Sequence, residues 1–273
     1  MRLLTLARDL TRRKARERHG LFVVEGVRAV EAALAADVAV RGALVAPALL
    51  ATPRGATVRA ALDAHVVDVL EVDDAAFASA ADTGTPQGVL LIAERPAASL
   101  DALAAAARGP SDECRFLVLD AVQDPGNVGT LVRAAAALGA TGVVALPGTA
   151  DLWSAKVVRA GMGAHFALPV LHAPLDALGA MLVAADVPLW GADGAGEPVD
   201  TAAERAPTRL ALVVGNEGAG LGTAVRAAAV ALVRVPSTGR VESLNAAVAG
   251  SILLYALRPA ALRGQDGPPL APG

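Results

Sequence analysis

A recurrence along the chain limits its fold more than any other feature. Short runs of β-branched and leucine residues are each followed by a stretch with helical spacing. In the second half the runs read "FLVLD", "GVVALP", "FALPVL", "VPLWGAD", "LALVVG" and "ALVRVP". They are apolar throughout rather than alternating, the pattern of strands buried on both faces. Crossover helices between them make the sheet mostly parallel. The front half alternates too, with an Arg-rich helix, strand "LFVVEG", helix "VRAVEAALAA", strand "RGALVA", helix "TVRAALDA", and strands "HVVDVL" and "QGVLLIA". The predicted fold is therefore α/β. A small α/β domain covers residues 1–97 and a partly helical linker covers 98–113. A mostly parallel-sheet domain covers 114–260, and a Pro/Gly-rich tail, expected to be disordered, covers 261–273.

Ligands of parallel sheets sit beyond the carboxyl ends of the strands, so the stretches after each strand are where chemistry is expected. The first is "LDAVQDPGNVGTLVRAAAALGA". Its Asp-Pro-Gly-Asn is a turn signal, and Asn127 is a candidate helix cap. Val128, Leu131, Val132, Ala135 and Leu138 share one helical face, and Arg133 falls off it. Such an arginine is either an ordinary solvated one or one presented to a substrate or another chain. The second stretch is Gly215-Asn216-Glu217-Gly218, at the end of "LALVVG". Its glycines let a ligand approach the backbone closely. The third runs from Val235-Pro236 through a Gly-containing loop to Ser243-Leu244-Asn245, followed by an apolar run to Leu257. A helix is expected over residues 243–257, with Ser243 or Asn245 capping its first turn.

Several chemistries are absent. His19, His65, His165 and His172 show no metal-ligand spacing, and the single Cys114 cannot complete a zinc site. There is no dinucleotide fingerprint in strand–turn–helix context and no nucleophile elbow. There is also no phosphate loop, because neither Lys14 nor Lys156 follows the required glycines. The net charge is −3, yet Arg2, Arg8, Arg12, Arg13, Lys14, Arg16 and Arg18 crowd residues 1–20 against only Asp9 and Glu17. That cluster is either a solvated helix face or a phosphate-binding footprint. No apolar run reaches the roughly 18 residues of a membrane span. The start lacks the apolar core of a signal peptide. The expectation is a soluble, cytoplasmic protein that uses neither membrane nor metal.

Taken in order, Asn127 with Arg133, then Gly215-Asn216-Glu217-Gly218, then Pro236 with Ser243-Leu244-Asn245, the motifs resemble those of the SpoU-type (TrmH-like) RNA ribose 2′-O-methyltransferases of the SPOUT class. They lie within residues 119–257. The stretch "FVVEGVRAVEAAL" is similar to that family's small substrate-binding domain, a ribosomal-protein-like RNA-binding fold. The resemblance implies a carboxyl-terminal methyltransferase domain with a deep trefoil knot that holds S-adenosylmethionine. By position, Gly215, Val235 and Leu244 contact that cofactor, and Asn127, Arg133, Glu217, Ser243 and Asn245 line the reaction site. The reaction implied is methyl transfer to a ribose 2′-hydroxyl. RNA is the partner, ribosomal RNA ahead of transfer RNA, held in part by Arg8, Arg12, Arg13, Lys14 and Arg16. A homodimer is implied as well, with the arginine supplied across the interface.

Arg133 is either the base or an electrostatic clamp. A guanidinium with a pKa above about 12 argues against the simple base. One departure is "VVRAGMGAHFALPV", where many relatives have Ser in place of Gly161. The competing readings are a non-catalytic RNA-binding or ribosome-assembly protein on the same fold, and a nicotinamide-dependent enzyme. The intact set Asn127, Arg133, Glu217 and Asn245 disfavours the first, and the missing fingerprint disfavours the second.

Overall fold

The computed structural model describes residues 3–65, 67–109, 113–259 and 262. Arg2 and, Leu262 apart, the predicted tail lie outside the described residues. The chain forms two compact units. One holds residues 1–98, 123–133 and 149–171, and the other holds 99–122, 134–148 and 172–273.

In chain order the elements up to the first sheet's last strand are α1 (Leu3–Asp9), α2 (Arg13–His19), β1 (Leu21–Glu25), α3 (Val27–Ala35), β2 (Val40–Val45), α4 (Pro53–Ala64), β3 (Val69–Glu71), α5 (Asp74–Ala78) and β4 (Val89–Glu94). The strands form a mixed sheet in the order β1-β4-β2-β3, with β4 antiparallel to β1 and β2, and β2 parallel to β3. Leu6, Ala7 and Leu10 pack with Leu21, Leu44, Phe77, Leu90 and Ile92 in its core. Within the same unit Trp153 meets Phe22 edge-on, with ring centroids 4.7 Å apart.

The Arg-rich segment is two helices rather than one. Arg16 explains the break: its Nη1 donates to the carbonyls of Leu10 (2.7 Å) and Thr11 (2.8 Å), which the turn between α1 and α2 frees from helical bonding. Two strands are shorter than their sequences suggest. His65 ends α4, so the run "HVVDVL" contributes only its last part to β3. In "FALPVL", Ala164–Phe166 form a 3₁₀ turn, and Pro169, which has no N–H to offer a ladder, precedes the strand at Val170.

The remaining elements are α6 (Leu100–Ala107), β5 (Cys114–Leu119), α7 (Pro125–Ala137), β6 (Gly142–Ala145), α8 (Ala155–Gly161), β7 (Val170–His172), α9 (Leu175–Ala184), β8 (Leu189–Pro198), α10 (Val199–Glu204), β9 (Arg209–Val214), α11 (Thr223–Ala228), β10 (Ala231–Arg234) and α12 (Ala246–Ala256). The second sheet has six strands in the order β10-β8-β9-β5-β6-β7, and the pairs β10/β8, β8/β9, β9/β5 and β5/β6 are parallel.

Every residue of β5 is buried, Arg115 included. That arginine is tolerated because its Nε donates to the Leu257 carbonyl (2.7 Å) and its Nη1 to those of Cys114 and Thr208. Between β8 and β10 the register slips: Gly191 pairs with Leu232, but the next pair is Glu197 with Val233. Residues 192–196 are therefore looped out of the ladder.

Candidate cofactor cleft at the strand ends

The carboxyl ends of β9 and β10, the looped-out part of β8 and the segment before α12 enclose a cleft of about 260 Å³. The cleft lies within the second unit. Val214, Val233, Leu244 and Leu253 give it an aliphatic wall, Gly194, Gly215 and Gly220 give it bare backbone, and Asp193, Ser237, Glu242 and Ser243 give it polar groups. The cofactor residues expected from the motifs, Gly215, Val235 and Leu244, all line it, together with Ser243.

The loop from Gly215 to Leu221 is shaped by its own backbone. Asn216 N donates to Gly220 O (2.9 Å), and Gly220 N donates back to Asn216 O (3.0 Å). The Asn216 side chain closes the turn: Oδ1 accepts from Gly218 N (3.0 Å) and Ala219 N (2.9 Å), while Nδ2 donates to the Ala121 carbonyl (2.8 Å). A Cβ on Gly215 would stand 2.4 Å from the Gly220 carbonyl carbon. Glycine is therefore required for the loop to close on itself, before any ligand is considered. Glu217 is exposed at the tip and accepts from Asn216 Nδ2 at 3.4 Å. Sequence reasoning missed two organisers, Asn216 and the buried Asp120, whose carboxylate accepts from Gly222 N at 2.7 Å. The clue in the sequence is an Asp at the end of a strand, ahead of the Asp-Pro-Gly-Asn turn.

The helix beyond the cleft starts later than expected. It begins at Ala246, and Asn245 is its cap, with Oδ1 accepting from Ala247 N (2.9 Å) and Val248 N (3.1 Å). Ser243 lies before the helix and lines the cleft instead. At the first motif Asp124 performs the role expected of Asn127, because its Oδ1 accepts from Asn127 N at 2.8 Å. Asn127 sits inside the first turn of α7. Val128, Leu131, Val132 and Ala135 are fully buried on that helix and Arg133 is exposed, while Leu138 is half-buried just past its end. Asn127 and Arg133 belong to the first unit, and Glu217, Ser243 and Asn245 to the second.

Of the residues expected to hold RNA, Arg8, Arg12, Arg13 and Lys14 are exposed or nearly so. Arg12 is paired with Asp9, Arg13 with Glu17 at 2.8 Å, and Arg8 donates to Ser79 Oγ at 2.8 Å. Lys14 makes no ion pair among the described residues. Arg16 does not fit the expectation. It is 5% exposed and its guanidinium is spent on Asp151 and two carbonyls, so it holds the fold rather than a phosphate. The same cation helps hold the Asp151 carboxyl below its usual range, against a desolvation that raises it.

Near the family departure, His165 is buried, and its Nε2 hydrogen-bonds the Leu152 carbonyl at 3.0 Å. Burial, opposed only by that bond, lowers its pKa to about 4. A Cβ at Gly161 would stand 2.6 Å from His165 Nδ1, so the ring takes the space that a serine would need.

Among the described residues no group of three or more His, Cys, Asp and Glu side chains is placed to hold a metal, and no helix is long and apolar enough to cross a membrane. A parallel-sheet α/β unit with a cleft at its strand ends, together with a smaller mixed-sheet unit, defines a two-part α/β architecture. Comparison with known proteins then gives the family. The model of the SpoU rRNA methylase family matches residues 115–255, and that of the MRM3-like substrate binding domain matches residues 5–91. The chain belongs to the SpoU rRNA methylase family.

Among curated relatives it is 34% identical to the Bacillus subtilis 23S rRNA (guanosine(2553)-2′-O)-methyltransferase RlmP, over 92% of this chain and 94% of that protein. It is 31% identical to the 23S rRNA (uridine(2479)-2′-O)-methyltransferase of Streptomyces viridochromogenes, over 90% of this chain and 85% of that protein. Its fold is similar to the AdoMet-bound rRNA methyltransferase of Sinorhizobium meliloti, with a TM-score of 0.78 and 31% identity over 94% of each chain. It is similar too to AviRb of Streptomyces viridochromogenes in complex with AdoMet, with a TM-score of 0.78 and 28% identity over 94% of this chain and 97% of that one.

Proposed function

We propose that this protein is an S-adenosylmethionine-dependent RNA methyltransferase that transfers a methyl group to a ribose 2′-hydroxyl of ribosomal RNA. The observation that carries the reading is the coincidence of Gly215, Val235, Ser243 and Leu244 on one cleft at the strand ends, in a chain whose relatives are named for that activity. The cleft's chemistry fits the cofactor. Aliphatic walls suit a nucleobase, glycine backbone and serine hydroxyls suit a ribose, and the Glu242 carboxylate suits a ligand bearing positive charge. When bound, the cofactor supplies a methyl group on a sulfonium sulfur. The chemistry it would supply is transfer of that methyl to the ribose oxygen, with S-adenosylhomocysteine as the leaving group and the hydroxyl proton passing to solvent.

The chain's own groups orient and stabilise. The Gly215–Leu221 loop and Asn245 fix the cleft's walls. Arg133, a cation at any working pH, clamps a neighbouring phosphate and stabilises negative charge developing on the ribose oxygen. This assigns it the clamp role rather than the base. Lys14 and Arg8 meet RNA phosphates.

The reading extends to a homodimer in which one chain's Arg133 serves its partner's site. Supporting it, Val248, Ile252 and Tyr255 form an apolar stripe along one side of α12, with Tyr255 57% exposed. Such a stripe is a surface that a second copy would cover. The trefoil knot and a cytoplasmic location complete the proposal.

The test is direct. The purified chain should bind S-adenosylmethionine, and not a nicotinamide dinucleotide, in calorimetry without added metal. RNA from a deletion strain should lack one 2′-O-methyl mark that the protein restores in vitro. A protein that binds RNA while leaving every ribose unmodified would be the non-catalytic alternative.

A further inference from the structure

The cleft has one wall that neither the motifs nor the sheet accounts for. Residues 192–196 leave the β8 ladder between Gly191 and Glu197, and Ala192, Asp193 and Gly194 face the cleft. These residues have no partners in the β10 register; Gly196 packs on the Leu232–Val233 backbone, and another contact shapes the part of the excursion that faces the cleft. Asp193 does so with both oxygens. Oδ1 accepts from Ala195 N at 2.9 Å, closing a local turn, and Oδ2 is paired with the Arg226 guanidinium on α11. The carboxylate is mostly covered, with 14% of its side chain exposed, whereas the Arg226 side chain is 46% exposed. Half-exposed pairs contribute little to global stability. Their geometric effect is local, and here it falls on a cofactor wall.

We infer that Arg226 and Asp193 form a latch that sets the looped-out segment of β8 as a wall of the cofactor cleft, which makes both of them positioning residues for S-adenosylmethionine. Arg226 acts through Asp193, on a segment that loses its anchor when the pair is broken. This rests on the proposed function, since it concerns the same cleft.

The experiment is a calorimetric double-mutant cycle on the full-length protein with S-adenosylmethionine as the probe. Arg226→Ala should raise the cofactor Kd about tenfold. Its melting temperature should stay close to that of the wild type, and kcat at saturating cofactor should be largely kept. Arg226→Lys should recover part of the affinity. Asp193→Ala should weaken binding as well, and the double variant should bind no worse than the weaker single variant, because both act through one contact. Hydrogen exchange in the cofactor-free protein should show the Ala195 amide opening faster in Arg226→Ala. Wild-type affinity in Arg226→Ala overturns the latch. So does a double variant in which the two losses multiply, since Asp193 would then act independently of Arg226. If the wild-type chain takes up no S-adenosylmethionine, the functional reading itself fails and the inference falls with it.

Discussion

At the scale of single residues, chemical type alone does not say what a charge is for. Arg16 and Arg133 look alike in the sequence. One is buried against Asp151 and backbone carbonyls, and the other is exposed beyond the apolar face of α7. His165 is a neutral buried imidazole with consequences for pH. Its folded pKa, about 4, lies below the ordinary 6.5. The unfolded chain therefore takes up the proton first on acidification. The stability from keeping this ring neutral is fully present above pH 6.5 and is lost as the pH falls from there toward 4, by an amount of order 3 kcal/mol. Unfolding followed by denaturant across that range should show uptake of about one proton in the wild type, and a correspondingly shallower slope in His165→Gln. Equal slopes would mean that another group governs the acid limb.

At the scale of elements, the start of α12 carries two duties. Asn245 is its cap, and the resemblance also places this residue in the reaction site. The duties separate by substitution. Asn245→Ala should cost about 1 kcal/mol of stability through the lost cap, together with activity. Asn245→Asp keeps an acceptor for the Ala247 and Val248 amides, so it should keep the stability and still lose methyl transfer. Full activity in Asn245→Asp would confine the residue to capping. The Arg-rich helices call for similar care. Removing residues 1–20 would take Leu6, Ala7, Leu10 and Arg16 out of the fold, so RNA binding is better tested by Lys14→Glu. That change should weaken RNA binding about equally across sequences and lower its salt dependence by about one phosphate contact. Unchanged binding would leave α2 as a solvated helix.

At the scale of the whole molecule, the acidic net charge of −3 sits beside an RNA substrate. The proposed dimer would ease the conflict, because two basic amino-terminal segments would then belong to one particle and their contacts would act together. Mixing tests the shared site. Arg133→Ala and Asn245→Asp chains, each inactive, should regain activity when refolded together, because each heterodimer contains one site with both native residues. Inactive heterodimers, alongside wild-type chains that recover in the same procedure, would show that each chain uses its own arginine.

Much of this was legible in the chain before folding. Continuous apolar runs such as "FLVLD" and "LALVVG" read as strands covered on both faces, and they are β5 and β9, neighbours in a parallel sheet. The family resemblance named Gly215, Val235 and Leu244 as cofactor residues, and all three line one cleft, at the strand ends where ligands of parallel sheets sit. Other features depended on contacts between residues far apart in sequence, which local pattern cannot express. Asp120 holds Gly222, Asn216 reaches back to Ala121, Arg16 meets Asp151, and Arg226 meets Asp193. The last strand before α9 is short because of Pro169 and the 3₁₀ turn ahead of it, a competition between turn and ladder that apolar composition conceals. Periodicity is a property of neighbours along the chain and sets which face of each element is buried. Which charge ends beside which carboxylate is decided only when those faces pack.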